Sequence, residues 1–370
     1  MSTYDVCVRG SGCVALAAAL ALGRRGLRVA MPPAASRHAP QREDVRAYAL
    51  NAASVALLES LKVWDALPAD ARTAVHAIRV EGDAGAVLRF SAWSQSVEAL
   101  AWIVDAAELE RVLRDAVRFA PHVQAAAADA VDARLQVLAE GRDSEARERL
   151  GVAMTVHRYG QRGVAARLVT DQPHGGLARQ WFRSPDVLAL LPFDRPQPGH
   201  SLGLVWSVPD ARADELLALP AAAFEQALAD ATGAAAGALR LASERASWPL
   251  ALALAERIAG PGWVLLGDAA HRVHPLAGQG LNLGLADVAA LDAVLAEREP
   301  WRDIGDERLL RRYARRRAGP TRAMATVTDG LLRLFAEPLP LVRELRNRGL
   351  TLVEGLPPLK RALTARAVDL

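Results

Sequence analysis

The 370-residue sequence predicts an α/β protein: a nucleotide-binding domain on a parallel sheet, an inserted antiparallel sheet, and a helical carboxy-terminal segment. Three observations carry that prediction. An alternating run at the amino terminus enters a glycine turn and then an alanine-rich helix. A second strand, glycine loop and helix follow one another near residue 267. Between them, residues 152–208 hold short alternating runs separated by Pro, Gly and Asp.

At the amino terminus, Tyr4 to Arg9 alternates toward a strand and runs into Gly10-Ser11-Gly12-Cys13-Val14-Ala15. Ala15 to Leu22 reads as helix and Gly26 to Ala30 as a second strand, completing a βαβ unit of about thirty residues. The turn is a GxGxxA fingerprint of a Rossmann-like site. Gly10 permits the tight turn, Gly12 lets a pyrophosphate approach the backbone, and small Ala15 lets helix pack on strand. The acid that usually ends the second strand and binds ribose hydroxyls is replaced by Met31-Pro32-Pro33. Either Arg37 or Arg42 reaches the adenosine end, or cofactor affinity is lowered.

The second corner, Gly267 to Gly284, suits a flavin. Trp263 to Leu266 reads as a short buried strand, and Asp268 at its end can accept hydrogen bonds from a polyol. Gly278, Gly280 and Gly284 keep side chains away where backbone must approach a flat ring, and Leu281 to Leu295 continues as an apolar-periodic helix. Its amino terminus offers free N–H groups and a positive dipole end to the electron-rich edge of a reduced flavin. A lone glycine loop usually serves packing alone. Here Asp268, Pro275, Gln279 and Asn282 accompany the glycines within one short segment. His271 and His274 sit beside Asp268 without the further ligands a metal would need, so no metal site is assigned and His271 is expected to orient the loop by hydrogen bonds.

A composition with 51% hydrophobic and 24% charged residues fits a globular enzyme of two domains. The uninterrupted apolar stretches, such as Val14 to Leu22, fall short of a membrane span, and no signal peptide is expected before Tyr4. Cys7 and Cys13 read as small packing residues in a reducing compartment, and the chain is expected to be cytoplasmic. Residues 301–370 hold 15 Lys+Arg against 8 Asp+Glu. Arg311, Arg312, Arg315, Arg316 and Arg317 cluster around Tyr313, with Leu331, Leu332, Leu334, Phe335, Leu339 and Leu341 following. Such a tail is either a surface for an anionic membrane or partner, or a solvated helix face closing the core. Nucleic acid is excluded as a partner, since no binding motif accompanies the charge.

Along the chain, Ala77 to Glu81 and Val87 to Phe90 read as strands leaving the nucleotide domain, and Asp105 to Phe119 as a helix. Gly163 to Val169, Leu177 to Phe182, Val187 to Phe193 and Ser201 to Val208 suggest the antiparallel sheet. Asp210 to Leu217 and Ala221 to Ala231 read as helices, and Leu239 to Trp248 as one further strand. Ala125 to Ala133 is alanine-dominated and low in chemical content. Trp181, Phe182, Phe193, Trp206 and Trp248 are expected to be mostly core, with one or two of them, beside Leu190 or Leu191, lining a hydrophobic pocket.

These motifs together resemble the flavin-dependent aromatic hydroxylases of the para-hydroxybenzoate hydroxylase superfamily, and more narrowly its ubiquinone-biosynthesis hydroxylases. Gly267-Asp268, Pro275 and Gly278 to Asn282 are similar to the family's second flavin motif, and Asp44 to Asn51 to the segment whose arginine contacts the cofactor. The narrower resemblance rests on Leu57 to Trp64, Ala101 to Val104, and a run from Thr328 through Leu334-Phe335 to Leu350. A third motif, Asp-Gly followed by serine and arginine, is matched by Glu140-Gly141-Arg142-Asp143-Ser144-Glu145-Ala146-Arg147, with glutamate in place of aspartate.

The resemblance implies a Rossmann-like FAD-binding domain (1–75, 99–150, 259–300), an inserted antiparallel-sheet substrate domain (76–98, 151–258) and a C-terminal helical region (301–370). It implies reduction of FAD by NADPH or NADH, addition of oxygen at the flavin C4a, and transfer of hydroxyl from the hydroperoxide to an aromatic, prenylated phenol. Pro275, Gly278, Gln279 and Gly280 would border the reacting ring as the catalytic edge. Gly10, Gly12, Ala15, Arg46, Glu140, Asp268, Gly278, Gly280, Leu281 and Asn282 would bind FAD. A peripheral contact with the inner membrane or a quinone-biosynthesis complex would run through the basic carboxy-terminal region. Two other readings stay open: a scaffold of such a complex that has lost efficient flavin binding, motivated by Pro32 and Glu140, and a soluble aromatic-acid hydroxylase.

Overall fold

The computed structural model describes residues 4–31, 44–83, 85–126, 131–273 and 279–336. Pro32, Pro33, Arg37, Arg42, His274, Pro275, Gly278 and residues 337–370 lie outside the described residues.

The first sheet has six strands in the spatial order Ala259–Gly260, Trp263–Leu265, Ala133–Leu138, Tyr4–Arg9, Val29–Met31 and Val123–Ala125. All neighbours are parallel except the Ala259–Gly260 and Trp263–Leu265 pair. Val6, Cys7 and Val8 are all fully buried, as expected for a parallel strand covered on both faces. Helix Cys13–Arg24 packs on this sheet and against helices Gln279–Ala296 and Ala106–Arg118. Asp105 stands just before the last of these as its cap, accepting the Glu108 N–H at 3.1 Å, so the helix begins one residue later than its periodicity predicts. Burial pushes the Cys13 thiol up to about 12 and raises Cys7 as well, consistent with packing roles for both.

The inserted sheet is centred on the 17-residue strand Met154–Thr170, flanked by Ala246–Ala255 on one side and Ser201–Pro209 on the other. Asp186–Phe193, Leu177–Arg183, Ala77–Glu81 and Val87–Ser91 continue it. A register shift between Arg158 and Gln161 marks a bulge at Gly160, whose φ is +65°. The expected strand from Leu239 to Trp248 is two strands. Leu239–Leu241 pairs with Leu168 to Thr170, and the chain then steps aside before Ala246–Ala255 begins. The Arg167 N–H donates to Ser243 Oγ at 2.8 Å, filling a rung with a side chain that alternation alone does not reveal.

Helices Asp210–Ala218 and Ala221–Thr232 cover one face of this sheet over a core containing Val164, Leu168, Trp181, Leu188, Trp206 and Phe224. Phe182 and Phe193 are also buried, so of the five aromatic residues only Trp248 keeps appreciable solvent contact. A small sheet, Ala47–Leu50 with Ala101–Asp105 and Arg72–Val75, lies against the other face. There the Arg167 guanidinium sits 3.9 Å over the Phe193 ring and donates to the Arg46 carbonyl at 2.7 Å.

Helix Gln279–Ala296 is, among the described residues, the one helix long and apolar enough to cross a membrane, which the uninterrupted apolar runs do not reveal. It is held between Cys13–Arg24 and the 30-residue helix Glu307–Ala336, with Leu283, Leu285, Val288 and Leu291 buried. The arginine cluster divides on the long helix. Arg317 is buried, Arg312 and Arg316 pair with Glu299 and Glu297, and Arg311 pairs with Glu307. Tyr313 is fully buried and donates to the Leu265 carbonyl at 2.8 Å.

Candidate functional site

The amino-terminal turn has the clearance its glycines imply. Gly10 has a φ of +127°, and a Cβ there would lie 2.1 Å from the Ala139 carbonyl oxygen. Buried Ala15 sits directly beneath, 3.1 Å from that same point. Gly12 is exposed, caps helix Cys13–Arg24 without a side-chain hydrogen bond, and has nothing within 4 Å of its missing Cβ. Among the described residues nothing crowds the start of that helix at Gly12, and its first N–H groups have no preceding turn to bond.

The second corner converges on the same place. Gly284 packs against this helix: its Cβ would meet Val14 Cγ2 at 2.5 Å and the Gly267 Cα at 3.4 Å. This corrects the expectation that Gly284 clears space for a ring, because its proton is needed for helix-to-helix contact. Gly280, by contrast, stands second in helix Gln279–Ala296 and has nothing among the described residues within 4 Å of its missing Cβ. Gln279 is buried, and Leu281 is half-buried against the core.

Asp268 follows Gly267, which packs against Val14 of the first helix and Gly284 of the second, and its side chain is exposed. Burial raises its carboxyl above the ordinary range, against the opposing pull of His271, Arg272, Arg142 and Arg46. Arg46 and Arg142, two residues beyond Glu140, thus lie near enough for their charge to act on Asp268. Arg46 is exposed, forks onto Asp44 at 2.8 and 2.6 Å, and lies 5.6 Å from the Tyr48 ring centre.

Two predicted cofactor contacts have their side chains engaged within the protein. Asn282 Oδ1 accepts from the Asn51 N–H at 3.1 Å and Ser54 Oγ at 2.7 Å, and its amide donates to the Ala49 carbonyl at 2.8 Å. It joins helix Gln279–Ala296 to helix Ala52–Ser60 and leaves its backbone for a cofactor. Glu140 Oε2 accepts from Ser144 Oγ at 2.6 Å and the Ala146 N–H at 3.1 Å, while Ser144 caps helix Glu145–Arg149. The extra methylene of glutamate is used to reach this short helix.

Sequence reasoning missed Asp287. This fully buried carboxylate accepts from the Gly267 N–H at 2.9 Å, His271 Nε2 at 2.7 Å and Arg317 Nε at 2.5 Å. Burial opposes charge on Asp287, yet His271 and Arg317 hold its pKa low. Burial likewise opposes charge on His271, and the Asp287 carboxylate outweighs it and raises the imidazole pKa. The available signal was an acid inside an apolar-periodic helix, a pattern that calls for a partner. His271 does orient the loop by hydrogen bonding, as its position suggested.

The glycine-cleared backbone and the solvent-facing Asp268 fit a dinucleotide with a polyol arm. The FAD binding domain family model matches residues 3–128 and 120–328. Ubiquinone hydroxylase UbiL of Rhodospirillum rubrum is 31% identical, with 98% of this chain and 89% of that protein covered. The 3-demethoxyubiquinol 3-hydroxylase of Escherichia coli is 29% identical, covering 99% and 98%. Among solved structures, p-nitrophenol 4-monooxygenase PnpA from Pseudomonas putida superposes with a TM-score of 0.77 at 18% identity, covering 100% of this chain and 99% of that one. Klebsiella pneumoniae HpxO, complexed with FAD and uric acid, gives 0.73 at 18% identity, covering 99% and 96%. These structural likenesses show the shared fold. The family match and the close relative together show that the chain belongs to the FAD-binding domain family and, within it, to the flavin-dependent ubiquinone-biosynthesis hydroxylases.

Proposed function

We propose that this chain hydroxylates the ring of a polyprenylated phenolic precursor of ubiquinone, with FAD as cofactor and NADPH or NADH as transient donor. The carrying observation is the Gly267–Asp268 turn, whose glycine packs against Val14 and Gly284 of the two site helices while the Asp268 side chain faces solvent, and the flavin crevice is assigned to that place. The reaction consumes the phenol, molecular oxygen, the reduced nicotinamide and a proton, and yields the hydroxylated ring, oxidised nicotinamide and water. FAD, when bound, supplies the redox and oxygen-transfer chemistry, and the protein supplies binding, orientation and exclusion of water.

In this reading Gly10, Gly12 and the helix start behind them take the pyrophosphate, and Ala15 lets the helix approach. Asp268 accepts hydrogen bonds from the ribityl hydroxyls. Arg46 offers a cation to the flavin or its phosphate. Gln279, Gly280, Leu281 and Asn282 present backbone to the ring edge. Glu140 shapes the Arg142 loop beside the crevice and supports the site indirectly.

The substrate would lie on the inserted sheet's inner face, whose register rows are small. Ala189, Val205, Ala165 and Ala246 form one row, and Val187, Ser207, Gly163 and Trp248 the next. Such a floor leaves space for a flat ring, with Trp248 as its half-buried aromatic border. Contact with an anionic membrane surface fits Arg308, Arg315 and Arg322, which recur every seven residues on the long helix and are exposed without an ion pair among the described residues. These few arginines, rather than the whole cluster, are the available basic face.

The test is FAD titration followed by nicotinamide oxidation with matched phenols. A yellow protein whose oxidation is stimulated by a prenylated phenol supports the proposal. Failure to bind FAD favours the scaffold reading, and stimulation by a carboxylated phenol alone favours the aromatic-acid hydroxylase.

A further inference from the structure

The Gly267–Asp268 turn is held from behind by a buried charge network. The Asp287 carboxylate is the point where donors from three elements meet: the turn itself, the short strand His271–Arg272, and the long helix. Arg317 adds a bond from Nη2 to the Leu283 carbonyl at 3.2 Å, so one guanidinium grips both the carboxylate and the backbone of helix Gln279–Ala296. Gly267 adopts φ +59°, a conformation that aims its N–H at Asp287 while placing Asp268 in the crevice. His271 is also in register with Leu254 of the inserted sheet.

Stability alone accounts poorly for this arrangement. Buried ion pairs roughly break even against well-packed apolar side chains, so three charged groups at this depth ask for a positional reason. That reason is adjacent in sequence, because Asp268 immediately follows the residue whose N–H the network fixes.

We infer that Asp287 is a positioning residue for the flavin: through the Gly267 N–H and His271 it holds Asp268 in place, and through Arg317 it makes the seating of the long helix part of the cofactor site. This rests on the reading that Asp268 receives the ribityl hydroxyls. The groups facing His271 are Asp287 from helix Gln279–Ala296, Arg317 from the long helix, and Asp268 from the turn, while the paired strand offers Leu254. Arg317 balances Asp287, which leaves a charged His271 as added positive potential favouring ionised Asp268.

The experiment measures the FAD dissociation constant against pH by flavin fluorescence for the full chain and its Asp268→Ala, His271→Gln, Asp287→Asn and Arg317→Lys variants. Glutamine keeps a donor for Asp287 but carries no charge. His271→Gln is expected to bind FAD near normally at neutral pH and to lose it on acidification about one pH unit earlier. Asp287→Asn is expected to weaken binding about tenfold or more. Should that variant fail to fold, Arg317→Lys carries the same test: lysine cannot span the carboxylate and the Leu283 carbonyl as a fork does, and about fivefold weaker binding is expected. Flavin loss in Asp268→Ala, with an unshifted acid limb in His271→Gln and normal affinity in Arg317→Lys, overturns the inference alone. Unchanged flavin content in Asp268→Ala overturns the ribityl reading and the inference with it.

Discussion

Gly280 and Gly284 lie one helical turn apart, and the structure assigns them opposite costs when each is replaced by alanine. At Gly284 the new methyl carbon would sit 2.5 Å from Val14 Cγ2 and 3.4 Å from the Gly267 Cα, so helix Gln279–Ala296 must move away from helix Cys13–Arg24. Overpacking of this kind costs about 1–3 kcal/mol, and the better helix propensity of alanine returns up to about 1 kcal/mol. The expected net loss is about 1–2 kcal/mol, a fall in Tm of roughly 1–3 °C for a chain of this size. At Gly280 the methyl meets nothing within 4 Å, so the FAD-free protein should keep its Tm or gain slightly. FAD affinity should instead fall about tenfold, because the methyl occupies the crevice edge. Thermal denaturation with and without FAD reads both effects. A Val14→Ala background should recover most of the Gly284→Ala loss, since it removes the opposing methyl groups. Equal losses in both backgrounds, or a Gly280→Ala variant that loses Tm without FAD, would refute the packing argument.

Asp268 has a raised carboxyl pKa, so its acceptor form is present above that value and is lost as pH falls through it. FAD affinity should therefore decline on acidification at a pH above the ordinary aspartate range, a limb that a pH series of FAD titrations should find absent in Asp268→Asn. Ala165→Phe, placed in the small-residue row of the inserted sheet, should suppress phenol-stimulated nicotinamide oxidation by more than about tenfold while FAD binding stays normal. Loss of flavin in that variant would move the row out of the substrate pocket. Replacing Arg308, Arg315 and Arg322 together with glutamine should reduce cosedimentation with anionic phospholipid vesicles, with the net effect of about 1 kcal/mol per residue, and leave Tm unchanged. Equal binding to zwitterionic and anionic vesicles would count against the basic face.

Local chemistry made much of the fold legible. The GxGxxA turn, the strand-to-helix step at Trp263 to Leu281 and the alternating runs of the inserted sheet each follow from short-range pattern, and each lies where its pattern puts it. Non-local chemistry hid the remainder. Spacing cannot tell a glycine that clears a ligand from one that admits a neighbouring helix, which is why Gly280 and Gly284 look alike in sequence. The Asn282 side chain reads as free for a cofactor until the Asn51 and Ser54 donors, far away in the chain, are brought to it. Arg317 looks like one more basic surface residue until Asp287 is found beneath it. The strand from Leu239 breaks because a serine side chain fills a rung, an event invisible to hydrophobic periodicity.

The proposed activity requires that the site around Asp268 hold FAD for ring hydroxylation of a prenylated phenol. Incubating the FAD-loaded protein with NADPH or NADH, a short-chain prenylated phenol and heavy-isotope molecular oxygen tests it most directly. The phenol should accelerate nicotinamide oxidation, and mass spectrometry should find one heavy oxygen atom on its ring. A protein that binds FAD yet returns the phenol unlabelled, with oxidation no faster than in its absence, would contradict it.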